Sequence, residues 1–234
     1  MKLTSRLIVT TVSLSLLAAL APAPLAQQGA ADRVAAIKQW LAQSKAQMKS
    51  YQWIETTVIA IKGEEKSTKV NSCYYDVTGA VQKVPLSATP PPAKKPGIRG
   101  AIIKNKTEEM TDYMKAAVAL VKSYVPPTSE KIQASKDGGK MTMDFPPGGK
   151  NIRVNFHDYQ LPGDNLSISM DLATNRLLGL GVATYIDDPK DVVDLAVTIG
   201  ALPDGTGFAD KVTLNATAKQ LTLTMTNSGY RKAN

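Results

Sequence analysis

Apolar residues recur near a 3.6-residue period from Asp32 to Ser50, at Val34, Ile37, Trp40/Leu41 and Met48, with lysine and glutamine between them, which predicts an amphipathic helix. The period then shortens. Thr56, Thr57, Val58 and Ile59 favour a strand over Trp53 to Ile61, Gly63-Glu64 turns the chain, and a second strand reaches Tyr74-Tyr75. A third strand is expected around Val81 to Leu86. Pro85, Pro90, Pro91, Pro92 and Pro96, with Gly97 and Gly100, predict a long exposed loop over 87–100. Asn105 can cap a further helix over about 106–125, with Glu108 as its box partner and an apolar stripe through Met110, Met114, Ala117, Val121 and Tyr124. Pro126-Pro127 stop it, and a short helix over Ser129 to Ser135 ends at Asp137-Gly138-Gly139.

From Lys140 onward, turn signals recur about every ten residues, and seven short strands are expected to form an antiparallel meander. Alternation assigns a dry face and a wet face. Ile152, Val154 and Phe156 oppose Arg153, Asn155 and His157; Leu166, Ile168 and Met170 oppose Ser167, Ser169 and Asp171; Leu221, Leu223 and Met225 oppose three threonines. Leu177 to Ile186 is apolar on both sides, and its Gly179 and Gly181 imply curvature or close backbone approach. A sheet with one apolar face needs cover, which the amphipathic helices supply. The fold class expected is α+β and β-rich: a curved antiparallel sheet, an unclosed half-barrel, covered by two to three helices.

The first 26 residues follow a different pattern. Lys2 and Arg6 form a basic n-region, Leu7 to Leu20 an uncharged h-region, and the alanines and prolines up to Ala26 a cleavage region, which reads as a signal peptide spanning 1–26 and a periplasmic destination. No cysteine near that point can take a lipid. A single β-rich domain over 27–234 follows. Losing Lys2 and Arg6 lowers the formal net charge from +8 to +6. Lysines interleaved with acids, as in Lys62-Gly63-Glu64-Glu65-Lys66, argue against nucleic acid and leave peripheral contact with anionic lipid open.

Cys73 and His157 are the only thiol and imidazole. They are the only available Cys-His pair, but neither sits in a nucleophile motif, and together they are too few for a zinc site. Asp187-Asp188-Pro189-Lys190-Asp191 lacks the spacing of a calcium loop and reads as a solvated turn. No nucleophile elbow, phosphate loop or dinucleotide fingerprint is present. These readings point to no catalysis, no metal and no cofactor. The methionines at 48, 110, 114, 143, 170 and 225 suit a plastic core or an acyl-chain pocket equally.

The N-terminal helix leads into Tyr51-Gln52-Trp53-Ile54-Glu55-Thr56-Thr57, followed by a hairpin, a mid-chain helical segment and a terminal meander. In this order of elements the chain resembles the periplasmic lipoprotein-carrier family of the LolA/LolB type, whose half-barrel related envelope-stress regulators share. The resemblance implies an unclosed barrel whose apolar concave face takes acyl chains beneath a helical lid. It also implies an arginine latch on an early strand, yet this chain has no arginine between Arg33 and Arg99.

The expected function is a periplasmic, non-catalytic binding protein holding a lipid, a lipoprotein acyl chain or a similar amphiphile. Ile152, Val154, Phe156, Leu166, Ile168 and Met170 are expected to wall the cavity, and residues 87–100 to gate it. The alternative is an envelope sensor or protein-interaction module with a filled core, lacking a cavity above ~300 Å³. An enzyme would require distant carboxylates such as Asp144, Asp158 and Asp171 to converge in a cleft.

Overall fold

The computed structural model describes residues 26–88 and 98–233. Helix α1 (Ala26–Met48) leads into three strands, β1 (Tyr51–Ile61), β2 (Glu64–Tyr75) and β3 (Val81–Ala88). Helices α2 (Ile98–Tyr124) and α3 (Ser129–Asp137) follow. The chain finishes with β4 (Met141–Asp144), β5 (Asn151–His157), β6 (Asn165–Asp171), β7 (Arg176–Tyr185), β8 (Val192–Ala201), β9 (Gly207–Ala216) and β10 (Leu221–Lys232). All ten strands form one sheet in the order β3-β2-β1-β10-β9-β8-β7-β6-β5-β4, every neighbour antiparallel. The sheet is open, with β3 and β4 as its edges, so the expected α+β, β-rich half-barrel is the observed class. Residues 1–25 of the expected signal peptide and 89–97 of the expected proline-rich loop lie outside the described residues, and Ala26, expected to end the former, begins α1.

The joint that makes one sheet from two runs of strands is β1 against β10, paired from Tyr51↔Lys232 to Ile61↔Leu221. Both strands carry the required period-2 pattern: Tyr51, Trp53 and Glu55 are buried on one side, and Leu221, Leu223, Met225 and Asn227 on the facing one. Register shifts at five places along the sheet add local twist. One lies on β7. A Cβ on Gly179 would stand 2.6 Å from the Val197 carbonyl oxygen, and one on Gly181 2.5 Å from Ser167 Oγ, so close approach explains both glycines.

Helix α1 runs over Ala26–Met48 where Asp32 to Ser50 was expected, and two further features depart from the sequence reading. Helix α2 begins at Ile98 rather than at an Asn105 cap, because Ala101 to Lys104 are compatible with a helix and uninterrupted hydrogen bonding outweighs a cap inside it. Asn155, expected on the wet face, is buried. Edge strand β4 explains this: Asn155 Nδ2 donates to Asp144 Oδ2 at 2.7 Å, so its neighbours satisfy the amide as they cover it.

The helices lie on the inner face and divide the core. The larger cluster packs Val118, Val121 and Tyr124 of α2 and Ile132 of α3 against Phe156, Leu166, Val193, Leu214 and Leu221. Asp164 fixes the end of α2 there, accepting from Tyr124 Oη at 2.5 Å and from the backbone N–H groups of Gln160 and Leu161 at 3.0 and 2.8 Å. The smaller cluster, Met48, Tyr51, Trp53 and Cys73, lies under the β1–β2 end.

Candidate functional site

Where these two clusters meet, the inner face is not filled. A cleft of about 220 Å³, half open to solvent, lies between α1, the end of α2 and the sheet from β8 across β9, β10 and β1 to β2. Its wall follows from strand parity. Leu195, Val197 and Ile199 alternate along β8, and Met225 and Asn227 along β10. On β9, Val212 is followed by a register shift that pairs Ile199 with Ala209 and leaves Asp210 as the extra residue, so Ala209 and Gly207 also reach the lining. Small side chains at those two positions leave the hollow. Across β1 and β10 another shift falls between Gln52 and Ile54, with Gly229 at φ 62, a left-handed position glycine adopts without strain. It brings Tyr230 to the same side as Asn227, where its ring stacks on Trp53 at 6.0 Å.

Helix α1 closes one side through a polar seam with the β8–β9 hairpin. Trp40 Nε1 donates to the Gly205 carbonyl at 2.9 Å, the Gly207 N–H donates to Ser44 Oγ at 2.8 Å, and Thr206 Oγ1 donates to Gln47 Oε1 at 2.7 Å. Tyr51, just after the helix, donates to Asp204 Oδ2 at 2.5 Å; this bond is the main reason the Asp204 carboxyl is pulled down to about 2. Trp40, Leu41 and Met48 supply the apolar side of the helix to the cleft.

Both charged side chains of the cleft lining are lysines. Lys45 and Lys122, in the last turns of α1 and α2, belong to the lining and are exposed. Among the described lining residues there is no carboxylate, imidazole or thiol. Burial raises the phenols of Tyr75 and Tyr230 above their ordinary value. Beside the cleft, Glu55 is buried and accepts from Lys83 Nζ at 2.6 Å through each oxygen, and from Asn71 Nδ2 at 3.4 Å. Glu55 stands directly opposite Asn227 across β1 and β10. This arrangement can bury an apolar body and hold an anionic group at the rim.

None of the six residues expected to wall the cavity lines this cleft. Ile152, Val154, Phe156, Leu166 and Ile168 are buried in the larger core cluster, and Met170 packs against it partly buried. They lie on the same face of the sheet as the cleft. The helices, however, fill that face over β5 and β6 and leave it hollow over β8 to β10. Of the loop expected to gate the cavity, Ser87 and Ala88 belong to β3 and 98–100 to α2, and the remainder lies outside the described residues. Trp40, Ala209, Asn227 and Tyr230 were missed; the register shifts that place the last three leave only a glycine or an extra polar residue as a trace in the sequence.

The chemically suggestive groups fall apart in space. Six strands separate Cys73 on β2 from His157 at the end of β5. Burial raises the Cys73 thiol to about 11, whereas exposed His157 Nε2 lies 2.9 Å from Thr142 Oγ1. Asp158 pairs with Lys140 at 3.2 Å beyond one end of β5, Asp171 accepts from the Ala173 N–H at the opposite end, and Asp144 accepts from Asn155. In the acidic turn, Asp188 accepts from the Lys190 N–H at 2.8 Å while Asp191 accepts from Tyr113 Oη at 2.5 Å. Among the described residues no three carboxylate, imidazole or thiol groups gather as metal ligands, and no helix is long and apolar enough to cross a membrane.

No family model matches the chain, and no curated protein matches it in sequence. Solved structures similar to it include the following two. One is an outer membrane lipoprotein-sorting protein domain from Vibrio parahaemolyticus, 9% identical, with 88% of this chain and 92% of that one covered and a TM-score of 0.37. The other is a DUF1329 family protein from Desulfovibrio piger, 8% identical, with 84% and 92% covered and a TM-score of 0.34.

Proposed function

We propose that this chain is an exported, periplasmic, non-catalytic binding protein that holds the apolar chain of an anionic amphiphile in the cleft between α1 and strands β8 to β10. The observation that carries this reading is the combination in one hollow of an almost wholly apolar lining and two lysines at its rim. Apolar burial supplies the driving force: ~6 methylenes at ~0.8 kcal/mol each contribute about 5 kcal/mol. Lys45 and Lys122 then orient the head group outward, where each exposed charge adds little affinity but sets polarity.

The size of the cleft narrows the ligand. Engineered apolar cavities of ~150 Å³ accept benzene, whereas pockets for drug-sized ligands begin near ~300 Å³. At about 220 Å³ the cleft suits a segment of one chain rather than the several chains of a lipoprotein anchor. The same volume favours a second reading, an envelope sensor or interaction module whose core is nearly filled and whose partner binds elsewhere.

Displacement of a fluorescent fatty-acyl probe, with native mass spectrometry of the gently purified protein, separates the two. The binding reading expects saturable displacement by dodecanoate and at least a tenfold weakening in Ala209→Leu, whose larger side chain fills the hollow. A wild-type protein that binds no probe and carries no lipid ends it.

A further inference from the structure

The two ends of the cleft differ in chemistry. Toward α2 the wall is aliphatic, with Val121, Val125, Leu195 and Val212 belonging to the larger core cluster. Toward β1 and β2 it is aromatic, with Trp53, Tyr75, Phe208 and Tyr230 belonging to the smaller one. Ring centroids lie 5.6 Å apart for Trp53 and Tyr75 and 4.4 Å apart for Phe208 and Tyr230, and Trp53 stacks on Tyr230, so the four rings form one continuous surface. Two hydroxyls there are unlike the rest. Of the eight tyrosines, Tyr74 is exposed, and the hydroxyls of Tyr51, Tyr113, Tyr124, Tyr159 and Tyr185 each have a hydrogen-bond partner. Tyr75 Oη and Tyr230 Oη have none among the described residues, and neither oxygen is sealed from solvent. Burial raises the Tyr230 phenol first and the Tyr75 phenol adds to it, so the two hydroxyls lie within electrostatic reach of each other. Half-buried yet open to water, they face a recess, and the recess that both residues line is the cleft.

An unionised phenol offers one O–H donor, and a carbonyl oxygen has two lone pairs to accept with. Water serves both hydroxyls while the cleft is open. A ligand that covers this end without an acceptor strips that water and leaves two donors unpaired, whereas one that brings an acceptor replaces it. A planar ring laid against the aromatic surface also gains more than the area it buries, which an aliphatic chain does not. We propose that the aromatic end of the cleft receives a planar ring bearing a carbonyl oxygen, which accepts from the Tyr75 and Tyr230 hydroxyls. The ligand's apolar chain continues along the aliphatic end, and its anionic group stays at the lysine rim. The cleft thereby selects aryl carbonyl amphiphiles over saturated ones that are more apolar. This rests on the reading of the cleft as an amphiphile site. Tyr75 and Tyr230 are on this account its specificity determinants.

The test compares 6-oxo-6-phenylhexanoate with 6-cyclohexylhexanoate, each displacing the same fluorescent acyl probe from the full chain, with dodecanoate alongside. The two acids share the spacing from ring to carboxylate, and the cyclohexyl acid is the more apolar, so a merely apolar hollow prefers it. The wild type should instead bind the aryl ketone about fivefold or more tightly. In the double variant Tyr75→Phe/Tyr230→Phe, which keeps both rings and removes both donors, the order should reverse, because the buried carbonyl then has no partner. A cooperative thermal transition certifies that the variant is folded; if it is not, Tyr75→Phe and Tyr230→Phe singly should each cut the preference by about twofold or more. If the wild type does not prefer the ketone, or if its preference survives loss of the hydroxyls, the proposal is overturned, and displacement by dodecanoate leaves the cleft reading standing. If none of the three acids displaces the probe, the cleft reading fails and this inference with it.

Discussion

Alanine at position 207 strikes the contact that seats α1 on the sheet. Its Cβ would stand 2.4 Å from Cζ2 and 2.6 Å from Cη2 of the Trp40 indole, and 3.2 Å from Ser44 Oγ. Carbon atoms settle at about 3.5–4.0 Å, so the ring must retreat by roughly 1 Å. It is not free to do so. The indole N–H is bound to the Gly205 carbonyl at 2.9 Å, the Arg176 guanidinium lies 6.0 Å from the ring centre, and Ser44 and Gln47 tie the next turn to the same hairpin. Overpacking of this kind costs about 1–3 kcal/mol, and loss of the indole hydrogen bond adds about 1 kcal/mol. Gly207→Ala should therefore lose about 2–4 kcal/mol. For a domain of this size, calorimetry should record a fall in Tm of roughly 4–16 °C. The Trp40→Ala background isolates the cause: with no ring to meet, the same Gly207→Ala change should be nearly silent, giving a coupling energy of about 2 kcal/mol or more. A single variant within about 0.5 kcal/mol of wild type, or strict additivity of the two changes, would refute this account of how α1 docks.

Three further outcomes follow from the same contacts. Asp164→Ala takes the carboxylate from the buried Tyr124 hydroxyl, which keeps Thr184 Oγ1 at 2.8 Å, and from the 159–161 backbone, and urea unfolding should show about 2–4 kcal/mol lost; a loss below 1 kcal/mol would mean the end of α2 is held by apolar contact alone. Cys73, fully buried with its thiol raised to about 11, should resist iodoacetamide at pH 8 until denaturant is added, and labelling at the rate of a free thiol would contradict its burial. Asp204 is held down to about 2, first by the Tyr51 hydroxyl and then by Thr206, so its folded value lies below the ordinary ~3.9. Its contribution to stability is thus present above about pH 4 and disappears as pH falls toward 2. Carboxyl NMR titration should find that low value and find it raised in Tyr51→Phe; an unchanged value would exclude the tyrosine as the cause.

Much of the architecture was legible because its signals are local. The strands of the terminal meander announce themselves by alternation and by turns such as Pro203-Asp204-Gly205, β3 by the Asp76 to Gly79 turn, and β2 by the turn expected at Gly63-Glu64, which the structure closes one residue earlier at Lys62-Gly63. The stripe in α2 identified Ala117, Val121 and Tyr124 as core. Asn105, a good cap in isolation, was misleading because a cap is used only where the helix has nothing before it. The site was less legible. Ile152 and Met225 carry the same apolar signature, yet one is sealed into core and the other faces a hollow, and that difference depends on which helix side chains lie opposite.

The sequence by itself determined the β-rich class, the two faces of the sheet, the amphipathic cover and the isolation of a single cysteine and a single histidine, because each depends on periodicity or composition along the chain. Only the tertiary structure decided that β1 pairs with β10, a contact between residues more than 150 positions apart that no local pattern encodes. It also decided the register shifts at Asp210 and Gly229, and hence which side chains point inward. A one-residue offset inverts the facing of everything beyond it, so the position of the cleft emerges only once strands and helices have met.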